Sequence, residues 1–264
     1  MAITVQDVYH FLQEKAPFEL QMDFDNAGFL VGRASRPVHR ILVALDITEA
    51  VIQEAVELSA QLIVAHHPVI WGGAKSVTDQ TLMGRKLLAL AENHIAAICA
   101  HTNLDAVADG VNDALALRLG LTGITQLHQD GVDGEGRPYG IGRVGFVPQQ
   151  KLYDFAHAVK ELLDSRGIRL VDGGKPVRKV AVGGGSCSSM VEDVLAQGCD
   201  TFVTADVKYD AFLDAKARGL NLIDAGHFPT EQVVCPVLKQ WLSTRFPQLT
   251  VDISRRHREV FSYL

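Results

Sequence analysis

A chain of 264 residues, 47% hydrophobic and 21% charged, is long enough to bury a large core, as one big α/β domain or as two lobes. Its formal net charge of −6 argues against a sequence-independent nucleic-acid binder, which needs a basic surface to neutralise phosphates. The four cysteines (Cys99, Cys187, Cys199, Cys235) show no C-x-x-C spacing, and no run approaches membrane-spanning length, so a cytoplasmic protein with buried thiols and no membrane contact is expected.

Thr4-Val5-Gln6-Asp7 opens the chain like a capping box, and the helix it starts ends before Pro17. Asp23 to Gly32 is punctuated by Asx and Gly and turns into a short strand. Arg40 to Leu45 reads as an apolar strand ending at Asp46, after which Thr48 caps a helix carrying Val51, Ala55 and Leu58. Leu62-Ile63-Val64-Ala65 has the length and β-branched content of a buried strand. It stops at His66-His67-Pro68. Alternate strand residues point to opposite faces, so both imidazoles reach one point only if the strand breaks up there. A polar stretch over 72–80, a helix near Leu82 to Asn93 and a strand from Ile95 to Ala100 follow. That strand ends in His101-Thr102-Asn103-Leu104-Asp105, before a helix through Val111, Leu115 and Leu119.

Glycines crowd residues 122–148, which read as a connector with one or two strands such as Ile141 to Val147. A helix from Tyr153 to Arg166 precedes a second lobe that repeats the first. Val38 to Val43 lines up with Val177 to Val182 at an offset of 139, which also carries Thr48–Leu58 onto Cys187–Gln197 and Leu62-Ile63-Val64 onto Thr201-Phe202-Val203. His101-x3-Asp105 lines up with His227-x3-Glu231 at an offset of 126. The expected fold is therefore α/β, two similar lobes from an internal duplication, residues 1–125 and 126–264, with a site in the cleft between them.

The strand ends carry His66 and His67, His101 and Asp105, Asp206, and His227 and Glu231, where open α/β sheets place their chemistry. Imidazoles with carboxylates suit Zn, Fe, Mn, Co or Ni rather than an all-oxygen Ca site. Five or six ligands exceed one catalytic zinc and suit two metals with a bridging carboxylate. Other features are weaker. Gly183-Gly184-Gly185-Ser186 is a phosphate-cradling turn or simply a tight βα turn. Cys187 lacks a partnering base in sequence, and Lys208 and Tyr209 read as surface residues or contacts to an anion. His10, His39, His94, His128, His157 and His257 have no acid companion at ligand spacing and read as ordinary.

Nearly the whole chain resembles the Nif-three-like dinuclear-metal-centre family, whose bacterial members are often named GTP cyclohydrolase type-two homologues. The motifs are DNAGFLVG (25–32), VALDIT (43–48), IVAHHPVIW (63–71), AHTNLDAVADGVND (100–113), TADVKYDAF (204–212) and DAGHFPTE (224–231). By position the resemblance implies metal ligands at His66, His67, Asp105, His227 and Glu231 for two divalent ions per chain, with His101 beside them as a proton-carrying catalytic residue. It implies a homohexamer and a hydrolase in which a metal-bridging hydroxide attacks a nucleotide-type or other small anionic substrate. A metal-binding scaffold or regulatory hexamer without turnover, or a phosphoesterase, fits the same ligands. The chain departs from the family at Phe29, where Leu is usual, at Asp210, where His is frequent, and in the tail from Ser254 to Leu264, which lacks an Asn-Pro ending.

Overall fold

The computed structural model describes residues 2–264. In chain order the elements are α1 (Val5–Lys15), β1 (Gly28–Val31), β2 (Arg40–Ala44), α2 (Glu49–Glu57), β3 (Leu62–Ala65), α3 (Leu82–Glu92), β4 (Ala96–Cys99), α4 (Thr102–Ala106), α5 (Val111–Arg118) and β5 (Thr122–Gln126). There follow β6 (Gly131–Val132), β7 (Pro138–Tyr139), β8 (Arg143–Gln150), α6 (Leu152–Leu162), β9 (Arg169–Val171), β10 (Val177–Val182), α7 (Val191–Ala196) and β11 (Thr201–Thr204). The last are α8 (Tyr209–Ala217), β12 (Asn221–Asp224), α9 (His227–Glu231), α10 (Val234–Arg245) and β13 (Thr250–Ile253). The fold is mixed α/β, in two compact units: residues up to Leu104 with Cys235–Arg258, and Asp105–Val234 with Glu259–Leu264. Among the described residues no helix is long and apolar enough to cross a membrane.

The first unit is built on a five-stranded sheet, β1-β4-β3-β2-β13, parallel except for β1. Every residue of β3 and β4 is buried, which is why their sequences are unbroken apolar runs rather than alternating ones. Leu42, Ala44, Ile63, Ala65 and Ala97 pack under Val51, Ile52 and Ala55 of α2 and Leu87 and Leu90 of α3. The expected caps form: Thr4 and Asp7 exchange hydrogen bonds in a capping box, and the Thr48 hydroxyl accepts from the Val51 N–H. β13 returns late in the chain to lie parallel to β2, with Ile253 opposite Val43.

The second unit carries a six-stranded sheet, β5-β8-β10-β11-β12-β9, in which β10, β11 and β12 are parallel. Alternation along these strands sends Val180, Val182, Val203 and Ile223 to α5 and α6, and Ala181, Phe202 and Leu222 to α7 and α8. The glycine-rich stretch is no simple connector. Its β5 and β8 are strands of this sheet, and Gly145 marks a close approach between them: a Cβ there would lie 2.9 Å from the Leu121 Cβ and 3.0 Å from the Thr122 carbonyl oxygen.

Both sheets contain three parallel strands flanked by an antiparallel edge strand, β2-β3-β4 with β1 and β10-β11-β12 with β9. Ile41 pairs with Leu62, and Val180 with Thr201, so the register reproduces the offset of 139 residue for residue. Ala96 opposite Leu62 then corresponds to Asn221 opposite Thr201, an offset of 125. The histidines differ by 126, so one residue is inserted after the last strand of the second unit. That residue is Gly226, at φ 92°, a conformation glycine reaches without steric cost.

Candidate metal centre

In the first unit the β3 ladder ends at Ala65, and the next two N–H groups, of His66 and His67, both turn onto the Leu45 carbonyl at 3.2 and 2.9 Å. Alternation is lost there, as the His-His-Pro sequence predicts, and the two rings converge with centroids 5.0 Å apart. His101, just beyond β4, joins them at 5.1 Å from His66 and 5.4 Å from His67. One ligand atom from each of the three lies within 4.8 Å of the others. Each ring is held through Nδ1: His66 by the Ala100 carbonyl at 2.8 Å, His67 by Asp46 Oδ1 at 2.8 Å, and His101 by Asp25 Oδ1 at 2.9 Å. Carbonyls and carboxylates accept, so the proton sits on Nδ1 and the neutral form of each ring leaves its lone pair on Nε2.

The carboxylates behind the rings are themselves well held. Burial pushes Asp25 up, but hydrogen bonds from His101 and Thr102 outweigh it and hold the carboxyl at about 2. Burial likewise opposes ionisation of Asp46, and hydrogen bonds from His257 and His67 hold it well below the usual range. Trp71, 51% exposed, stands edge to face with His101 at 5.2 Å.

Both His-x3-acid sequences involve one-turn helices: His101 of the first unit directly precedes α4, and His227 and Glu231 of the second unit are the first and last residues of α9. On α9 the i, i+4 spacing puts both side chains on one face, and His227 Nε2 lies 3.0 Å from Glu231 Oε2. His227 Nδ1 is 2.7 Å from Asp206 Oδ2. Burial disfavours the charged ring, yet Glu231 and Asp206 together lift His227 to about 9. Asp206 follows β11 at φ 52°, a left-handed conformation that Asp tolerates better than most residues. Asp105 is buried, and the Asn112 amide fixes its backbone carbonyl at 2.9 Å.

The glycine turn 183–186 is a tight turn between β10 and α7 whose three glycine N–H groups are taken inside the unit: Gly183 by the Val203 carbonyl, Gly184 by Asn112 Oδ1 and Gly185 by Thr230 Oγ1. Cys187 is packed, not activated. Burial first, and then the charges of Asp105 and Glu231, push its thiol up. Tyr209 is 76% exposed at the start of α8.

Three residues of this arrangement escape the sequence reading. Asp25 opens the DNAGFLVG motif, and Asp46 stands directly after an apolar strand, which is the signal that could have found it. His257 reads as ordinary for want of an acid nearby in sequence, and that expectation fails: its Nε2 lies 3.1 Å from Asp46 Oδ2, 211 residues earlier in the chain.

The family model described as Duf34/NIF3 (NGG1p interacting factor 3) matches residues 3–259. The chain is 32% identical over 263 residues to a Clostridium perfringens protein named GTP cyclohydrolase 1 type 2 homolog, covering 98% of this chain and 99% of that one. A Streptomyces coelicolor protein of the same name is 39% identical over 224 residues, covering 83% and 78%. The crystal structure of a Staphylococcus aureus hypothetical protein superposes with a TM-score of 0.92 at 28% identity, covering both chains completely.

Proposed function

The chain belongs to the Duf34/NIF3 family, and from that membership together with the imidazole cluster we propose that it is a metal-dependent hydrolase acting on a nucleotide-type substrate. Two divalent ions per chain, from Zn, Fe, Mn, Co or Ni, are the cofactors in this reading, with His66, His67, Asp105, His227 and Glu231 as ligands. The observation that carries it is the convergence of His66, His67 and His101, each held through Nδ1, so that His66 and His67 present Nε2 for coordination and His101 presents its Nε2 beside them. Neutral imidazoles with a carbonyl or carboxylate behind them fit a transition metal, and buried carboxylates at Asp105 and Glu231 supply the oxygen donors and the negative charge.

Bound ions of this kind lower the pKa of water from 15.7 towards about 7 and polarise the group under attack. The remaining work falls to side chains. His101, oriented by Asp25, holds or passes a proton at Nε2. Trp71 offers an exposed ring face to a planar substrate. The name shared by the relatives makes GTP the first substrate to try, with the imidazole carbon of guanine as the point of attack. In this reading the chain also forms a homohexamer and works in the cytoplasm, where its four free thiols stay reduced.

Elemental analysis of the purified and the reconstituted protein, with turnover on a panel of nucleotides and phosphoesters, tests the reading. Two metals per chain and a turnover abolished by chelation are expected. One metal or fewer removes the dinuclear centre, and absence of turnover on every substrate favours a metal-binding scaffold.

A further inference from the structure

Glu54 and His257 lie far apart in sequence, yet both are joined to His67 by an unbroken set of hydrogen bonds within the first unit. The set begins on α2. The Glu54 carboxylate, 8% exposed, accepts from the Ser254 hydroxyl at 2.5 Å and from the N–H groups of Arg255 and Arg256 at 3.0 and 3.2 Å. The Ser254 oxygen in turn accepts from the N–H groups of Arg256 and His257 at 3.3 and 3.2 Å. A carboxylate so surrounded fixes the turn that follows β13, and the Ser254 N–H continues the ladder by donating to the Val43 carbonyl at 2.8 Å.

That turn brings the His257 ring against Asp46. The Asp46 backbone N–H points at Nδ1 across 3.5 Å, and Nε2 lies 3.1 Å from Oδ2. A backbone N–H only donates, so Nδ1 is the accepting nitrogen and Nε2–H donates to the carboxylate. The other oxygen of the same carboxylate, Oδ1, receives Nδ1–H of His67 at 2.8 Å. Asp46 is thus gripped on both oxygens, one by each histidine. Its side chain is 41% exposed, so burial alone does not set its rotamer. A carboxylate turns easily about its last torsion, and a partner on the second oxygen removes that freedom.

We propose that His257, set in place by Glu54 through the turn Ser254–His257, is a positioning residue for His67. It fixes the Asp46 carboxylate and thereby the direction in which His67 presents Nε2. The inference rests on the reading of His67 as a metal ligand, but its geometry exists without metal. Loss of an outer partner of this kind costs ten- to a hundredfold in metal affinity.

The test uses the full chain and cobalt(II) as the probe. Cobalt affinity is measured by competition with a chelator, and the imidazole ¹⁵N signals of His67 are recorded in metal-free protein. Wild type is expected to show His67 as the single Nδ1–H tautomer. His257→Ala is expected to bind cobalt ten- to a hundredfold more weakly and to show mixed tautomers at His67. His257→Gln, whose amide N–H reaches towards Oδ2, is expected to recover most of both properties. Glu54→Gln is expected to move both in the same direction by a smaller factor, and it decides the matter with His257→Gln should His257→Ala not fold. Affinity within twofold of wild type and an unchanged His67 signal in folded His257→Ala would overturn the proposal while leaving the hydrolase reading intact. Should wild type take up no cobalt, the hydrolase reading fails, and the His67 signals alone support or overturn the role of His257.

Discussion

A Cβ on Gly185 would lie 2.0 Å from Oε1 of Glu231, so the turn after β10 and the carboxylate on α9 leave no room for a side chain between them. Gly185 also holds φ at 64°, where an L-residue is strained. Gly185→Ala therefore meets two obstacles, and the cheaper escape is for Glu231 to swing away. The variant is expected to lose about 1–3 kcal/mol in urea unfolding and to carry less metal than wild type. Gly198→Ala is the control: φ is 68°, but nothing lies within 4 Å of the added carbon, so it is expected to lose stability and keep its metal. Equal metal content in the two variants would show that Glu231 does not depend on the glycine turn.

His101 and Asp25 are expected to act as a pair. His101→Ala should retain most of its metal, supplied by the other ligands, while hydrolysis falls by about 10²–10⁴. Asp25→Asn keeps the shape of the side chain but no longer holds the Nδ1 proton as a carboxylate does, and a loss of about 10–100-fold is expected. Metal content and turnover of both variants, and of the double variant, are the measurements. Metal loss in His101→Ala equal to that in His66→Ala would make His101 a ligand instead.

The thiols set an alkaline limit. Burial pushes Cys99 and Cys235 up to about 12 and Cys199 to about 11, against 9.0 for an unperturbed thiol. Because the folded pKa is the raised one, the stabilisation is complete below pH 9 and is lost as pH rises through 11 to 12. Native protein at pH 8 is therefore expected to resist a thiol-specific disulfide reagent at these three positions and to react fully in urea. Unfolding midpoints should fall with pH above 9. Rapid labelling of the native protein at pH 8 would contradict the burial of these groups.

Self-association rests on the family resemblance alone. Light scattering is expected to give a mass near six times 28.7 kDa, and a stable monomer at micromolar concentration would remove the hexamer.

What could be read from the sequence is what the chain writes locally. Apolar runs such as Leu62–Ala65 announce buried strands, Pro68 announces their end, and Thr4 and Thr48 announce helix starts through their own hydroxyls. The histidines at strand ends follow from the same local marks. The outer carboxylates do not, because Asp46 gains its meaning from His257, 211 residues away, and Asp25 from His101. β13 was equally hidden: Thr-Val-Asp-Ile is a plausible strand, but nothing in four residues names β2 as its partner. Gly226 shows the finer limit. The offset of 126 between the histidines looks like simple equivalence, and only the strand register reveals the inserted residue that places His227 at the head of its own helix.

Arg143 is a buried cation that the sequence does not advertise. At 3% exposure it donates to the carbonyls of Gly140 and Gly142, both at 2.8 Å, to that of Val107 at 2.9 Å, and to Asp113 Oδ2 at 2.9 Å. Three carbonyls and one carboxylate take up the guanidinium, so the charge is compensated and the segment after α4 is tied to the start of β8. Removing one partner leaves the other charge and the carbonyls buried without their counterpart. Arg143→Met and Asp113→Ala are each expected to cost about 3–5 kcal/mol in urea unfolding. The double variant should cost less than the sum, because the second substitution removes the charge that the first leaves uncompensated. Conservation of shape without the fork should help little, so Arg143→Lys is expected to recover less than half of the loss. A cost under about 1 kcal/mol for Arg143→Met, or strict additivity in the double variant, would mean that water replaces the guanidinium and that the pair does not hold this segment.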